Sequence, residues 1–226
     1  MLNLSRWLAL VLPVLSVMVI HGCATNEGAG ITKEGLQRLD VEMIEYVAIH
    51  PGADLASFSD IYIEPVELEF RSGWRPQSTG SHLSVSPVRL KELQEKLQAM
   101  FMDEFKAGLS ENSRLRIVNE ATPEVLRITP RIVNVTVTNL DGKANPGQTF
   151  ARKQGEAKLE MTIRDVRTGT LVVRVEDRRV IANSADGFAV TGAGAIDQGF
   201  ARIFSGWGAF TGKGILNVSP VPAESR

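Results

Sequence analysis

The sequence predicts an α+β domain: a two-layer sandwich in which helices cover one face of a mostly antiparallel sheet of about five strands. Three observations carry that expectation. The mature part of the chain runs strand, helix, four strands and a final helix, which is not the strict alternation of a doubly wound fold. A single long segment, Pro87 to Leu109, has strong helical spacing, and two alternating runs flank the turn residues Arg167, Thr168 and Gly169 as a hairpin does. With 226 residues, 43% of them hydrophobic, the chain has material for one sizeable core. Its 25 basic and 26 acidic side chains nearly cancel, which disfavours nucleic acid as a partner.

In chain order, the first element is a leader. Arg6 and the amino terminus make a positive start, and Trp7 to Ile20 form an apolar run of 14 residues, short of the roughly 20 that span a bilayer. Gly22 is a small residue directly before Cys23, the single cysteine of the chain. One cysteine allows no intrachain disulfide, so packing must hold an exported domain together. Residues 1–22 read as a signal peptide and residues 23–46 as a linker, small and polar at first (ATNEGAG). Leu36, Leu39, Met43 and Ile44 can then share one side of a short docking helix.

The folded domain is expected over residues 47–216. Asp60 to Phe70 is a strand with a fault. Ile61 and Ile63 have one parity, Val66, Leu68 and Phe70 the other, and a bulge at Glu64-Pro65 would return both sets to one face. Pro65 has no amide proton and belongs at that bulge or at an edge. Ser86 and Pro87 start a helix as N-cap and first residue, and Leu90, Leu93, Leu97, Met100, Phe101, Phe105 and Leu109 form its apolar stripe. Leu115 and Ile117 begin a short strand. Leu126 to Leu140 is a longer strand whose parity changes near Pro130, so a second bulge is expected. Ala157 to Ile163 alternates with charged residues, and Leu171, Val173 and Val175 begin the return arm of its hairpin. Phe200 to Phe210 has helical aromatic spacing, but its glycines predict an unstable or kinked helix. Residues 217–226 read as a tail.

Chemistry-bearing patterns are sparse. The mature chain has two histidines, His50 and His82, far apart in sequence, and no HExxH pair, so no metal and no cofactor are expected. Gly206 to Gly214 departs from a phosphate-binding loop in its glycine spacing and in lacking the hydroxyl residue. Asp197 occupies the third glycine place of a dinucleotide pattern in Thr191 to Gly199. Glu64, Glu67 and Glu69 allow a paired-carboxylate reading, although Glu67 and Glu69 lie on the polar side of their strand. Arg174, Arg178 and Arg179 could form an anion-binding patch, but Glu176 and Asp177 interrupt it and favour a salt-bridged surface.

Ile20, His21, Gly22 and Cys23 resemble the lipobox of bacterial lipoproteins, with Ile at a place where Leu is commoner and an unusually bulky His beside it. The resemblance implies cleavage between Gly22 and Cys23, a diacylglycerol on the Cys23 sulfur and an acylated (palmitate-type) amino terminus. Ala24 stands where Asp would signal inner-membrane retention, which implies the periplasmic leaflet of the outer membrane. Further on, PGADLASFSDIYIEPVELEF and DVRTGTLVVRVEDRR resemble a family of Gram-negative envelope lipoproteins carrying a domain of unknown function.

The functional expectation is a lipid-anchored, periplasm-facing binding or assembly module, more a binder than an enzyme. Its partners would be the membrane, through the N-terminal acyl chains, and an envelope protein complex. Trp74 and Trp207 are its candidate contact residues. The alternative is an envelope hydrolase acting on peptidoglycan or lipid through Glu64 or Glu67. A glutamate in a concave pocket would favour the enzyme; an apolar groove or a free strand edge would favour binding.

Overall fold

The computed structural model describes residues 30–74, 85–137, 153–182 and 193–217. The leader, Cys23, His82 and the tail lie outside the described residues.

The long strands set the frame. β6 (Val125–Val137), β7 (Lys153–Asp165) and β8 (Leu171–Ala182) pair antiparallel. The turn between β7 and β8 is built as the sequence suggests: Asp165 accepts from the Arg167 amide and the Thr168 hydroxyl, and Gly169 takes a φ of 71°. β3 (Asp60–Ile63) and β4 (Glu67–Phe70) run parallel to β6 on its other side. They are parallel because the chain returns through α1 (Pro87–Asn112), and a strand–helix–strand crossover brings the next strand back in the same direction. β5 (Arg116–Val118) then pairs parallel to β3.

The sheet therefore has eight strands and is mixed, where about five mostly antiparallel strands were expected. Two differences account for this. The strand expected over Asp60 to Phe70 breaks into β3 and β4, and two unexpected short strands join the sheet, one inside the expected linker and one at the start of the expected domain. β1 (Gln37–Leu39) and β2 (Tyr46–Ile49) form an antiparallel pair added to β8, so the docking helix expected between Ile31 and Tyr46 is absent. Leu36 and Leu39 served that helical reading equally well, because three- and four-residue strands carry too few positions to show a period. Met43 lies in the connection with a φ of 71° and is 75% exposed.

The first expected bulge occurs at the expected place, and the second lies four residues beyond Pro130, through which the pairing is regular. Ile63 pairs with Ile128 and Glu67 with Arg131, so four steps on one side match three on the other, and the extra residue falls at Glu64–Val66. Ile61, Ile63, Val66 and Leu68 are consequently all buried, with Pro65 exposed at the fault. On β6 the extra residue is Asn134, with a φ of 57°, and β4 and β7 both shift register there. Asparagine tolerates this left-handed conformation and a β-branched residue does not. Asn134→Val is expected to lose about 1–2 kcal/mol in denaturant unfolding and Asn134→Gly to lose nothing.

α1 and α2 (Ala193–Asn217) pack side by side and both contact the sheet. Ser86 caps α1 by accepting from the Arg89 amide, as its sequence predicts. The side chains of Gln94 and Gln98, one turn apart, donate to the carbonyls of Leu68 and Val66 at 2.9 Å each. They satisfy the outer edge of β4, which would otherwise present unpaired backbone groups. α2 is one continuous helix, not the unstable or kinked one expected from its glycines. Gly208 and Gly212 face α1, where an added Cβ would press on the backbone of Phe105, Leu109 or Asn112. The core between helices and sheet includes Phe101, Phe105, Phe200, Phe204 and Trp207, with stacked, edge-to-face and tilted ring contacts 4.9–5.8 Å apart.

Candidate functional site

The registers of β2, β8, β7 and β6 align inward side chains in rows across the sheet. Ile49, Val173, Ile163 and Ile128 form one row; Val47, Val175 and Met161 form the next. Over most of the sheet, aromatic rings from α1 and α2 fill the space above such rows. Toward the C-terminal end of α2 they fill it only in part, because the helix presents a single ring, Phe210, with the small Thr211 and Gly214.

The result is a small, partly open recess with about 30 Å³ of room, far below the roughly 300 Å³ at which small-molecule sites begin. Its base is Val47 and Ile49 of β2 with the facing residues of β7 and β8; Leu39 of β1 and Leu55 close its ends. No titratable side chain lines it. The Thr211 hydroxyl, its one side-chain polar group, already donates to the Trp207 carbonyl at 2.8 Å. What enters this space must be apolar where it lies inside, since a buried polar group would find no partner.

The opposite face of the sheet is an ionic lattice. Arg131 reaches Glu69 at 2.5 Å, Glu160 at 3.3 Å and Glu67 at 3.7 Å. Lys158 holds Glu176 at 2.6 Å, and Arg174 joins Glu176 to Glu34. Glu156, 5% exposed at its side chain, is bound by both Arg71 and Arg178 at 2.6 Å. The hydrogen bond that Lys158 donates to Glu176 holds the carboxyl below its ordinary value and raises the ammonium above its own. A depressed carboxylate contributes stability that is lost as pH falls through its folded pKa, and a raised ammonium one that is lost as pH rises through its own. Glu176→Gln is therefore expected to cost most between about pH 5 and 10, well under 1 kcal/mol at this partial exposure, and to approach wild type below pH 4 in urea titrations.

The sequence-derived candidates are dispersed by the fold. Glu64 accepts from the Thr129 hydroxyl at 2.6 Å and lies 3.7 Å from the Arg127 guanidinium; Glu67 is 78% exposed at its side chain beside Arg131. Both sit on the ionic face, on the side of the sheet away from the recess. Trp74 is half-buried and stacks on Phe70 at 5.0 Å. Trp207 is 2% exposed, so it is core and not a contact surface as expected. Its indole N–H donates to Asp177 at 2.7 Å, an aromatic polar end paid off inside. Arg174 and Arg178 are salt-bridged, as expected for an interrupted patch, and Arg179 turns to Asp177 instead. Among the described residues, no three His, Cys, Asp or Glu side chains group as metal ligands.

The sequence reading missed the recess, whose lining is scattered over six segments of the chain. It also missed the inward role of Asp177, although the parity of Val173 and Val175 extends to it.

Residues 30–201 match the family described as "Protein of unknown function (DUF3313)". The chain belongs to this family. The recess is thus built largely from the matched region of the DUF3313 domain, with Phe210, Thr211 and Gly214 beyond it. A search of curated proteins finds no match. Among solved structures, the domain is similar to the PelC dodecamer from Paraburkholderia phytofirmans, with 10% identity over 76% of this chain and 98% of that one and a TM-score of 0.37. It is also similar to the hypothetical protein CT253 from Chlamydia trachomatis, with 12% identity over 71% and 99% and a TM-score of 0.39. A third is XCC0632 from Xanthomonas campestris, with 10% identity over 72% and 91% and a TM-score of 0.37.

Proposed function

We propose that this DUF3313 protein is a lipid-anchored envelope lipoprotein, held at the periplasmic leaflet of the outer membrane through Cys23, whose domain acts by binding. The observation that carries the binding reading is the short strand β1, which lies at the end of the sheet and pairs with another strand on one side only, beside a small recess lined by aliphatic groups and one phenyl ring. The hydrolase reading asks for a glutamate in such a space. Glu64 and Glu67 instead lie on the other face, each beside an arginine. The anchor rests on the leader and on the lipobox-like run Ile20 to Cys23. Several acyl chains hold a protein durably, where one holds marginally.

The anchor is tested by growing cells with an alkyne-tagged palmitate. Wild-type protein is expected to take up the tag and float with outer-membrane vesicles on a density gradient. Cys23→Ser is expected to lose at least nine-tenths of the tag, at about the wild-type level of protein. Equal tagging and equal flotation of the two would overturn the anchor.

A further inference from the structure

We infer that the ionic face of the sheet carries an anion site built on Arg127 of β6 and Arg164 of β7, and that its ligand is a phosphomonoester or the free phosphate ion. The site is independent of the anchor and of the recess.

Three observations lead to it. The first is register. Arg127 and Arg164 are direct partners across the antiparallel pair of β6 and β7, and because Leu126, Ile128 and Ile163 point into the core, both arginines emerge on the ionic face. Their Cβ atoms are thus about 5 Å apart, a spacing at which like charges repel.

The second is a shortage of acceptors. Elsewhere on this face Arg131, Lys158, Arg174 and Arg178 each have a carboxylate at 2.5 to 3.0 Å. Arg127 has only Glu64, at 3.7 Å, which is too far for a hydrogen bond, and Glu64 already accepts from the Thr129 hydroxyl at 2.6 Å. Its Nε is enclosed with no acceptor among the described residues, a cost that a turn of the guanidinium toward a ligand would relieve. Among the described residues, Arg164 has a single partner, the neutral Gly169 carbonyl at 3.2 Å. Two guanidiniums, with five N–H donors each, therefore share one protein hydrogen bond.

The third is the setting. Tyr62 of β3 pairs with Arg127 on its other side, and Leu171 of β8 pairs with Arg164. The row Tyr62, Arg127, Arg164, Leu171 places two forked cations between a phenol and an aliphatic side chain, all half-buried. Even with Glu64 nearby, the row keeps a net positive charge. A phosphomonoester answers it, since it carries nearly two negative charges at neutral pH and its tetrahedral oxygens can accept from two guanidiniums at once.

The test is calorimetric titration of the full chain, held in a maltoside detergent and chloride buffer, with inorganic phosphate, glycerol 3-phosphate and the diester glycerophosphocholine. The wild type is expected to bind inorganic phosphate or glycerol 3-phosphate saturably, one per chain, and the singly charged diester at least tenfold more weakly. Tighter binding of glycerol 3-phosphate assigns the site to a lipid headgroup; equal or tighter binding of inorganic phosphate assigns it to the free ion. Arg127→Ala and Arg164→Ala are each expected to weaken binding at least tenfold.

Arg164→Ala relieves a repulsion and loses only an exposed hydrogen bond, so its Tm is expected to stay within about 2 °C of wild type, which separates lost binding from lost folding. Lys91→Ala, on α1 and 76% exposed at its side chain, is expected to bind as the wild type does. No saturable binding, or binding indifferent to Arg127→Ala and Arg164→Ala, would overturn the site. Equal weakening by Lys91→Ala would reduce it to diffuse attraction and overturn it too. Binding of the diester as tight as that of both monoanionic and dianionic phosphates would overturn the choice of ligand.

Discussion

Replacing Gly208 by alanine is expected to lower the unfolding free energy by about 3 kcal/mol, near the upper end for inserting volume into a packed core. The reason is a reciprocal contact. A Cβ on Gly208 would run into the Phe105 carbonyl oxygen and sit 2.9 Å from the Leu109 amide, while a Cβ on Gly108 would run into the Ser205 carbonyl oxygen. Both obstacles are helix backbone, so neither can swing aside as a side chain would. The two helices must separate, and the phenyl contacts of Phe101 with Phe105 and Phe204 open with them. For a chain of this size the loss corresponds to a Tm drop of about 6–12 °C.

The control lies in the same helix. Gly206 is exposed and a Cβ there meets nothing, so Gly206→Ala keeps only the gain in helix propensity and is expected to raise stability by up to about 1 kcal/mol. Circular-dichroism melts of the two variants should therefore move in opposite directions. If Gly208→Ala melts with the wild type, the close approach of α1 and α2 is wrong.

These glycines show where sequence reasoning succeeds and where it stops. Helical spacing placed α2 correctly from Phe200 to Phe210, but propensity alone made its glycines look like weakness. Their role depends on α1, which lies about a hundred positions earlier, and no local window holds both. The bulge at Pro65 was legible because a parity switch is written within one strand, whereas the one at Asn134 falls later than the sequence suggests, since Pro130 offers a visible break and Asn134 does not. Parallel pairing of β3 and β4 with β6 was not legible, since it depends on the path taken through α1. β1 and β2 were lost for want of length. The recess is the extreme case: it exists because Gly214 and Thr211 are small where five other segments converge, and only the register of the sheet brings those segments together.

Asp177 is the side chain whose loss should cost most among the polar groups. It is 1% exposed, and its carboxylate accepts from the Trp207 indole at 2.7 Å, from Arg179 at 2.6 Å and from the Glu45 amide at 3.3 Å. Arg179 in turn donates to the carbonyl of Met43, so one carboxylate fastens the β1–β2 connection, β8 and α2 together. Asp177→Ala leaves the indole N–H without its acceptor and a partly buried guanidinium without its counter-charge, an expected loss of about 3–5 kcal/mol. Asp177→Asn keeps an acceptor for the indole and should lose less. A double-mutant cycle with Trp207→Phe separates the contributions: if the indole bond carries part of the cost, Asp177→Ala should cost about 1–2 kcal/mol less when Phe occupies position 207. Strict additivity of the two substitutions would mean that the bond contributes nothing.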